Sequence, residues 1–139
     1  MPPVRTRLIE DLDEAREIHA LAFEEDIWVG DQHTFWAVYD RKRVVGFCSA
    51  VILETCGPAV YLSRAAVVKS HWGKGVQRTM IATRCAWGIE HGAKRAVTYT
   101  LLKNYPSMVN LLNAGFRFYT PDPAWHVSPR VVHYFKKDL

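Results

Sequence analysis

Residues 67–78 read VVKSHWGKGVQR and run from the end of a predicted strand through a glycine-rich turn into a predicted helix. Glycine lets a backbone turn tightly and leaves its N–H groups open, and a helix N-terminus carries about half a positive charge. A phosphate is therefore the natural ligand of this turn, and Lys74 and Arg78 add positive charge beside it. Because the spacing matches neither a P-loop nor a GxGxxG fingerprint, a purely structural turn remains an alternative.

Strands make up much of the chain around this turn. Alternating or β-branched runs bounded by turn residues predict seven strands: Arg5–Ile9, Thr34–Asp40, Val44–Leu53, Ala59–Val68, Ala96–Leu101, Phe116–Tyr119 and Val131–Phe135. The polar turn between the second and third strands predicts a hairpin.

Three helices are predicted between these strands. The first begins after Asp11 as N-cap, with Glu14 completing a capping box. The second spans about Val76 to His91, and a short third helix has Pro106 near its first turn and Gly115 past its end. The apolar faces expected for the first two helices are Leu12, Ala15, Ile18 and Ala22, and Ile81, Cys85 and Ile89.

The resulting order of elements is β-α-β-β-β-α-β-α-β-β. A β-α-β connection implies parallel neighbours, and a hairpin implies antiparallel ones. The predicted fold is therefore α/β (α+β), with a mixed, mostly antiparallel sheet and helices on both faces.

Length and composition limit the class of protein. A chain of 139 residues is the length of one domain, so residues 1–139 are expected to form a single unit, and 49% apolar with 23% charged residues is a globular composition. No apolar run approaches the ~20 residues of a membrane span and no signal-peptide pattern is present, so we expect a cytoplasmic location and no membrane partner. Cys48, Cys56 and Cys85 lack CxxC spacing, which favours buried thiols over a disulfide framework and predicts no metal site.

Charge is unevenly distributed along the chain. Residues 1–31 contain nine of the fourteen carboxylates and three arginines, a balance of −6, which leaves +10 for the rest of a chain whose total is +4. The basic part suits a polyanion, either nucleic acid or a phosphorylated cofactor, and the acidic part suits a cationic partner. Since no zinc, helix-turn-helix or RNA-recognition pattern is present, nucleic acid is the weaker alternative.

A second stretch, residues 104–116, reads NYPSMVNLLNAGF. Together with the glycine turn and the element order, it resembles the GNAT superfamily of N-acetyltransferases, in particular small bacterial and phage members. The superfamily's two motifs read [Q/R]xxGx[G/A] and NxxSxxxLxxxGF. Gly75 matches the first motif, whereas Trp72 stands in place of Gln or Arg and Gln77 in place of a small residue.

The resemblance, which covers residues 5 to 137, implies acetyl-CoA as co-substrate and no metal. It also implies that two parallel strands, Ala59–Val68 and Ala96–Leu101, splay apart so that the pantetheine arm can pair with exposed main chain. Asn104 would anchor the pantetheine, although a plain N-cap remains an alternative for Asn104 and a first-turn serine for Ser107. The residues assigned to the cofactor in this way are Val67, Lys69, Trp72, Gly73, Lys74, Gly75, Val76, Gln77, Arg78, Asn104 and Ser107.

The catalytic residues implied by the resemblance are Tyr61, Ser63 and Val67. The N–H of Val67 would polarise the thioester carbonyl. Tyr61 occupies the place of a glutamate base but is a poor base at neutral pH, so Ser63 on the same strand face could hold a water instead. Leu111 stands where a tyrosine acid is frequent, and a thiolate of pKa about 8.5 leaves reasonably well unaided.

The acceptor is expected to be an amine-bearing small molecule or peptide, and a homodimer is left open. Glu24-Glu25-Asp26 and Asp31 could form an acidic wall that attracts a cationic amine. Structural positions are expected for most of the remaining aromatic residues: Trp28, Trp36 and Trp125 in the core or cleft wall, and His19 and His91 at the surface or half-buried. His133 and Tyr134 are outside candidates for proton transfer. The main alternative to an enzyme is a catalytically silent acyl-CoA-binding module.

Overall fold

The structure, a computed structural model, describes residues 4–22 and 28–139. Its strands are β1 (Arg5–Ile9), β2 (Thr34–Asp40), β3 (Arg43–Leu53), β4 (Ala59–Val67), β5 (Arg95–Leu101), β6 (Arg117–Tyr119) and β7 (Val132–Asp138). Its helices are α1 (Leu12–Ala22), α2 (Val76–Glu90) and α3 (Tyr105–Asn113). The predicted order of elements is confirmed.

The seven strands of the described residues form one sheet in the order β1-β2-β3-β4-β5-β7-β6. β4 and β5 are parallel, whereas β1–β2, β2–β3, β5–β7 and β6–β7 are antiparallel. The β4–β5 ladder runs from Ala59–Arg95 to Tyr61–Val97 and so ends well before β4 does. The predicted mixed, mostly antiparallel sheet is confirmed.

The chain divides into two compact units, Met1–Val51 with Leu62–Arg84, and Ile52–Tyr61 with Cys85–Leu139. In the first unit a cluster of apolar side chains forms the core: Ile9, Ala15, Phe35, Ala37 and Phe47. In the second unit most of the buried side chains come from β4, β5, α3 and β7, with Phe116 just before β6, and the larger ones are Val60, Val97, Met108, Leu111, Phe116, Tyr134 and Phe135.

The start of α1 agrees with the prediction only in part. Asp11 caps the helix, because its Oδ1 accepts the backbone N–H of Asp13 at 2.9 Å. The carboxylate of Glu14, however, is bonded by the guanidinium of Arg7 on β1. Glu14 therefore ties α1 to the sheet, and the expected capping box is replaced by this ion pair.

The buried face of α1 matches the predicted one in part, because Ala15 is in the core cluster and Ile18 packs against it. Leu12 is exposed, Ala15 is buried, and the side chain of Ala22 lies outside the described part of the chain. His19, one turn after Ala15, is buried with its ring edge-on to Trp28 at 5.1 Å and to Phe47 at 5.9 Å between centroids. The imidazole of His19 thus packs among aromatic rings of the core, whereas a surface or half-buried position was expected.

The second helix also departs from its predicted face. Ile81 and Cys85 are buried, but Ile89 is 57% exposed. Gly88 lies in the buried row instead, and a Cβ built on it would be 2.6 Å from Cγ1 of Val60. The late turns of α2 thus approach β4 through a glycine, and Ile89, a further step round the helix, is turned to the surface.

Within the described residues, no helix is long and apolar enough to cross a membrane.

Candidate active site

The glycine turn lies between a 3-10 turn, Lys69–His71, and the start of α2 at Val76. Gly73 has φ +72° and Gly75 has φ +82°, a left-handed conformation that costs other residues energy. A Cβ built on Gly73 would meet no atom within 4 Å, so the space beside it is open. Glycine therefore occupies the two positions of the turn that have a positive φ, and the main chain is accessible at Gly73.

The N-terminus of α2 makes this open space suitable for an anion. The first four N–H groups of a helix have no partner within it, and they carry the positive end of the helix dipole. The N–H and the hydroxyl of Thr79 both donate to the carbonyl of Gly75, at 3.1 and 3.2 Å, which directs that carbonyl into the helix. Lys74 and Arg78 are exposed beside the turn. These residues fit a diphosphate.

A buried histidine that the sequence analysis did not single out holds the turn in place. His71 is 8% exposed, and its Nε2 lies 2.9 Å from Oδ2 of Asp40 on β2. Its Nδ1 lies 2.9 Å from the hydroxyl of Ser70. The turn is therefore tied to the β2–β3 hairpin. His71 and Asp40 are 31 positions apart, and no sequence motif predicts their contact.

Trp72, which departs from the expected motif, bonds back to the end of β4. Its indole N–H donates to the carbonyl of Val67 at 2.8 Å, and its backbone N–H donates to the carbonyl of Lys69 at 3.2 Å. The N–H of Val68 donates to Val45 on β3, so by strand alternation the N–H of Val67 faces away from β3. A cofactor arm that pairs with Val67 would meet an N–H that faces away from β3 and a carbonyl that already accepts a hydrogen bond from Trp72.

The second motif begins at the N-terminus of α3. The side-chain oxygen of Asn104 accepts the backbone N–H of Ser107 at 3.4 Å, so Asn104 is the N-cap of that helix. Asn104 is exposed, and its amide nitrogen is a donor that the cap does not use. The capping alternative raised by the sequence is therefore observed, and it leaves the anchoring role open.

Ser63 lies at the centre of a hydrogen-bonded chain of side chains. Its hydroxyl is 2.8 Å from Nδ1 of His33 and 2.7 Å from the hydroxyl of Ser49. The hydroxyl of Ser49 in turn accepts the backbone N–H of Arg64 at 3.0 Å. His33 and Ser49 were not predicted as site residues, since they are 30 and 14 positions from Ser63 and share no motif with it.

Two arginines surround this chain. Arg84 is 3% exposed and points its guanidinium at the carbonyls of Ser49 and Arg64, each at 3.4 Å, which fixes β3 and β4 at this level. Burial, and next the charge of Arg64, lower the pKa of His33 below its ordinary value. His33 is therefore a neutral imidazole at pH 7.

The turn that carries His33 is fixed by Asp31. The backbone N–H of His33 donates to the carbonyl of Gly30 at 3.4 Å. Asp31 accepts from Arg16 at 2.7 and 2.9 Å and from the indole of Trp28 at 2.9 Å. The Trp28 bond, and then Arg16, lower the pKa of this carboxyl. Asp31 is thus a paired anchor rather than a free part of an acidic wall, and Glu24-Glu25-Asp26 lie outside the described residues.

Comparison with known sequences identifies this arrangement. The sequence profile of the acetyltransferase (GNAT) family matches residues 2–116. The chain belongs to this family. No curated protein sequence matches it significantly.

Solved structures share the fold of this chain. IAA acetyltransferase from Bacillus cereus superposes with a TM-score of 0.80 at 11% identity, over 99% of this chain and 100% of that one. A Bacillus subtilis acetyltransferase in complex with CoA has a TM-score of 0.78 at 17% identity, over 99% of both chains. Arabidopsis thaliana Naa50 in complex with the bisubstrate analogue CoA-Ac-MVNAL has a TM-score of 0.75 at 12% identity, over 98% of this chain and 99% of that one. The predicted GNAT fold is confirmed.

Tyr61, predicted at the base position of the GNAT family, lies in an aromatic cluster of the second unit. Its ring is edge-on to Trp125 at 4.9 Å and stacked with Tyr99 at 6.1 Å between centroids. The indole N–H of Trp125 donates to the hydroxyl of Tyr119 at 2.7 Å. These contacts give Tyr61 the surroundings of a wall residue.

The outside candidates on β7 have different surroundings. Tyr134 is 2% exposed and donates its hydroxyl to the carbonyl of Val127, and burial raises the pKa of this phenol. His133 is half-buried with its ring edge-on to Phe118 at 5.5 Å. Because the Tyr134 proton is held by a carbonyl, Tyr134 is poorly placed for proton transfer. Trp36 is buried, and His91 is exposed as expected.

The cysteines are free thiols. Cys48 and Cys85 are buried and Cys56 is half-buried. Burial raises the pKa of Cys48 to about 11, so its thiol stays protonated at neutral pH and is a weak nucleophile. Among residues 4–22 and 28–139, no three His, Cys, Asp or Glu side chains are grouped closely enough to hold a metal ion.

Proposed function

We propose that this GNAT protein transfers the acetyl group of acetyl-CoA to the primary amine of a small molecule or peptide, by direct attack while both substrates are bound. The observation that carries the proposal is the open, glycine-built anion cradle at the N-terminus of α2. Family membership supports acetyl transfer as the chemistry.

The cofactor residues take separate roles in this proposal. The backbone N–H groups of Gly73 to Gln77 bind the diphosphate, and Lys69, Lys74 and Arg78 offset its charge. Trp72 packs beside the arm, and Ser107 supports it at α3. The N–H of Val67 polarises the acetyl carbonyl, and the amide nitrogen of Asn104 donates to the pantetheine.

Direct attack is favoured over acetylation of the buried cysteine Cys48. An acetyl-enzyme requires an activated nucleophile, usually a thiolate or an alkoxide formed by an adjacent base. The Cys48 thiol is buried and protonated, with a pKa raised to about 11. An acceptor amine held against the thioester needs only to lose a proton, and holding the two reactants together supplies much of the rate.

The acceptor is proposed as a class only. One structure with this fold, Arabidopsis thaliana Naa50, is in complex with the bisubstrate analogue CoA-Ac-MVNAL, which supports a peptide as one of the two kinds of acceptor. The remaining parts of the proposal are a single domain over residues 1–139, a cytoplasmic location, and a homodimer as the alternative to a monomer.

The second candidate is an acyl-CoA-binding module that does not turn over. It is favoured by Leu111, which is buried in α3 at 5% exposure where many GNAT enzymes have a proton-donating tyrosine. The two candidates differ in turnover and share cofactor binding.

The test combines calorimetry with product analysis. CoA binding is measured first, and the protein is then incubated with acetyl-CoA and a panel of aliphatic amines, aromatic amines and peptides with free N-termini. We expect CoA binding and amine-dependent formation of an acetylated product, identified by mass spectrometry. CoA binding without any product supports the silent module, and no CoA binding overturns both candidates.

A further inference from the structure

We propose that His33 is the proton acceptor of the reaction and that Ser63 passes the proton to it. This inference rests on the proposed acetyl transfer and assigns its missing base, since Tyr61 is a poor base at neutral pH. It is based on the hydrogen-bonded chain of side chains in the first unit, in which Ser63 bonds to His33 at 2.8 Å and to Ser49 at 2.7 Å.

We assign a direction to the hydrogen bonds of this chain. The hydroxyl of Ser49 accepts the N–H of Arg64, and its own proton can donate to Ser63. The proton of Ser63 then donates to Nδ1 of His33. In this direction each hydroxyl donates once and accepts once, and the lone pair of Nδ1 is where the chain ends. We assign the proton of the neutral ring to Nε2 on this count.

The surroundings of His33 keep that lone pair available. The ring is half-buried and stacked on Phe35 at 6.4 Å between centroids. The charged group that acts on it is Arg64, which disfavours an imidazolium, as does burial. Asp31, two residues away, is bonded to Arg16 and Trp28 instead. His33 is therefore uncharged at neutral pH, which is the state that a base requires.

The proton and electron pairs balance in this scheme. Through bridging waters, the acceptor ammonium gives one N–H proton to the oxygen of Ser63 while the Ser63 proton moves to Nδ1 of His33, which yields a neutral amine and an imidazolium. The amine lone pair forms the C–N bond, the C–S bond breaks, and sulfur leaves with its electron pair. A second N–H proton goes to the thiolate, which gives an amide and the free CoA thiol, and the imidazolium returns its proton to water.

The position of Ser63 on β4 sets how the proton travels. Ser63 is four residues before Val67, whose N–H is proposed to donate to the acetyl carbonyl. A strand rises about 3.3 Å per residue. About 13 Å therefore separate the two groups along the strand. The acceptor amine and bridging waters can occupy this length, so proton removal comes before attack.

The decisive variant is His33→Asn. The Asn side chain can place a polar atom where Nδ1 lies and keep the bond to Ser63, but it has no basic nitrogen. We expect kcat/KM at pH 7 to fall about 10²- to 10⁴-fold, with CoA affinity and thermal midpoint unchanged. The wild-type rate should decline as the pH falls below about 6.5 towards the lowered pKa of His33, and this limb should vanish in the variant.

Three further variants test the hydrogen-bonded chain from Ser49 through Ser63 to His33. His91→Asn changes an exposed histidine on the other compact unit and should leave the rate and the pH profile unchanged. Ser63→Ala should lose rate and Ser63→Thr should recover most of it, because threonine keeps the hydroxyl and suits a strand.

The outcomes separate this inference from the proposed function. Wild-type protein that forms no acetylated product contradicts the proposed function before any variant is made. Product formation by His33→Asn at the wild-type rate and pH dependence overturns the base alone, as does a joint loss of rate and CoA affinity, which would indicate a structural role. An NMR titration of the His33 ring needs no acceptor, and a pKa at or above about 6.5 would also overturn the assignment.

Discussion

The glycine turn and the Ser63 chain lie in the same compact unit and are built in opposite ways. The turn uses the backbone of consecutive residues, Gly73 to Val76, and needs only glycine conformations and a helix N-terminus. The chain uses side chains from three segments, with His33 before β2, Ser49 on β3 and Ser63 on β4. A backbone site can therefore be recognised from local sequence, whereas a side-chain site exists only after the strands have paired.

The largest expected effect tests the backbone site. In Gly75→Asp a carboxylate would stand against the diphosphate, and like charges ~4 Å apart cost about 1 kcal/mol in water and about 4 kcal/mol near a protein surface. CoA affinity should therefore fall roughly 5- to 1,000-fold, as measured by calorimetry.

Backbone strain needs a control of its own, because Gly75 has φ +82°. Gly75→Asn introduces a neutral side chain that tolerates the left-handed region better than most. It should retain most of the CoA affinity that Gly75→Asp loses. Equal losses in the two variants would show that conformation matters and charge does not, and undiminished affinity in folded Gly75→Asp would remove the turn from the site.

The same contrast explains what the sequence could predict. The strands, the order of elements, the glycine turn and the α3 motif all depend on local patterns, and the structure agrees with them to within a few residues at each boundary. The buried faces of α1 and α2 were predicted less well, because His19 packs against aromatic rings and Gly88 against the side chain of Val60, contacts that no helical period encodes. His71 and His33 were missed for this reason too.

The next effect concerns Asn104, whose side chain has both a local capping role and a proposed contact with the cofactor. Its side-chain oxygen caps α3, and its amide nitrogen is proposed to donate to the pantetheine. Asn104→Asp keeps the capping oxygen but removes the donor, so the thermal midpoint should hold while CoA binding weakens by roughly 1–3 kcal/mol. Asn104→Ala should lose both. If CoA binds Asn104→Asp as tightly as wild type, the residue is a cap only.

A smaller effect is expected from the brace of the glycine turn, which is the hydrogen bond between His71 and Asp40. His71→Ala would leave the Asp40 carboxylate without its 2.9 Å partner and should destabilise the fold by about 1–3 kcal/mol. A looser turn must be ordered on binding, so CoA affinity should fall about fivefold, on the order of 1 kcal/mol. His71→Gln can still reach Asp40 and should restore both. A CoA affinity unchanged in His71→Ala would mean that the turn keeps its form without the brace.

The smallest effect is a pH dependence of stability that belongs to the side-chain site alone. The pKa of His33 is lowered in the folded protein, mainly by burial and next by Arg64, while the unfolded chain titrates near the ordinary value of about 6.5. Below that pH the unfolded state binds more protons, so the free energy of unfolding contributed by His33 decreases as the pH falls from about 6.5 towards the folded pKa. Urea denaturation at pH 7.5 and 5.5 should therefore show a larger loss of stability on acidification for the wild type than for His33→Asn, with His91→Asn behaving as the wild type. Equal losses in all three proteins would mean that His33 is hydrated and charged like a surface histidine, and the neutral imidazole on which the proton chain depends would be absent.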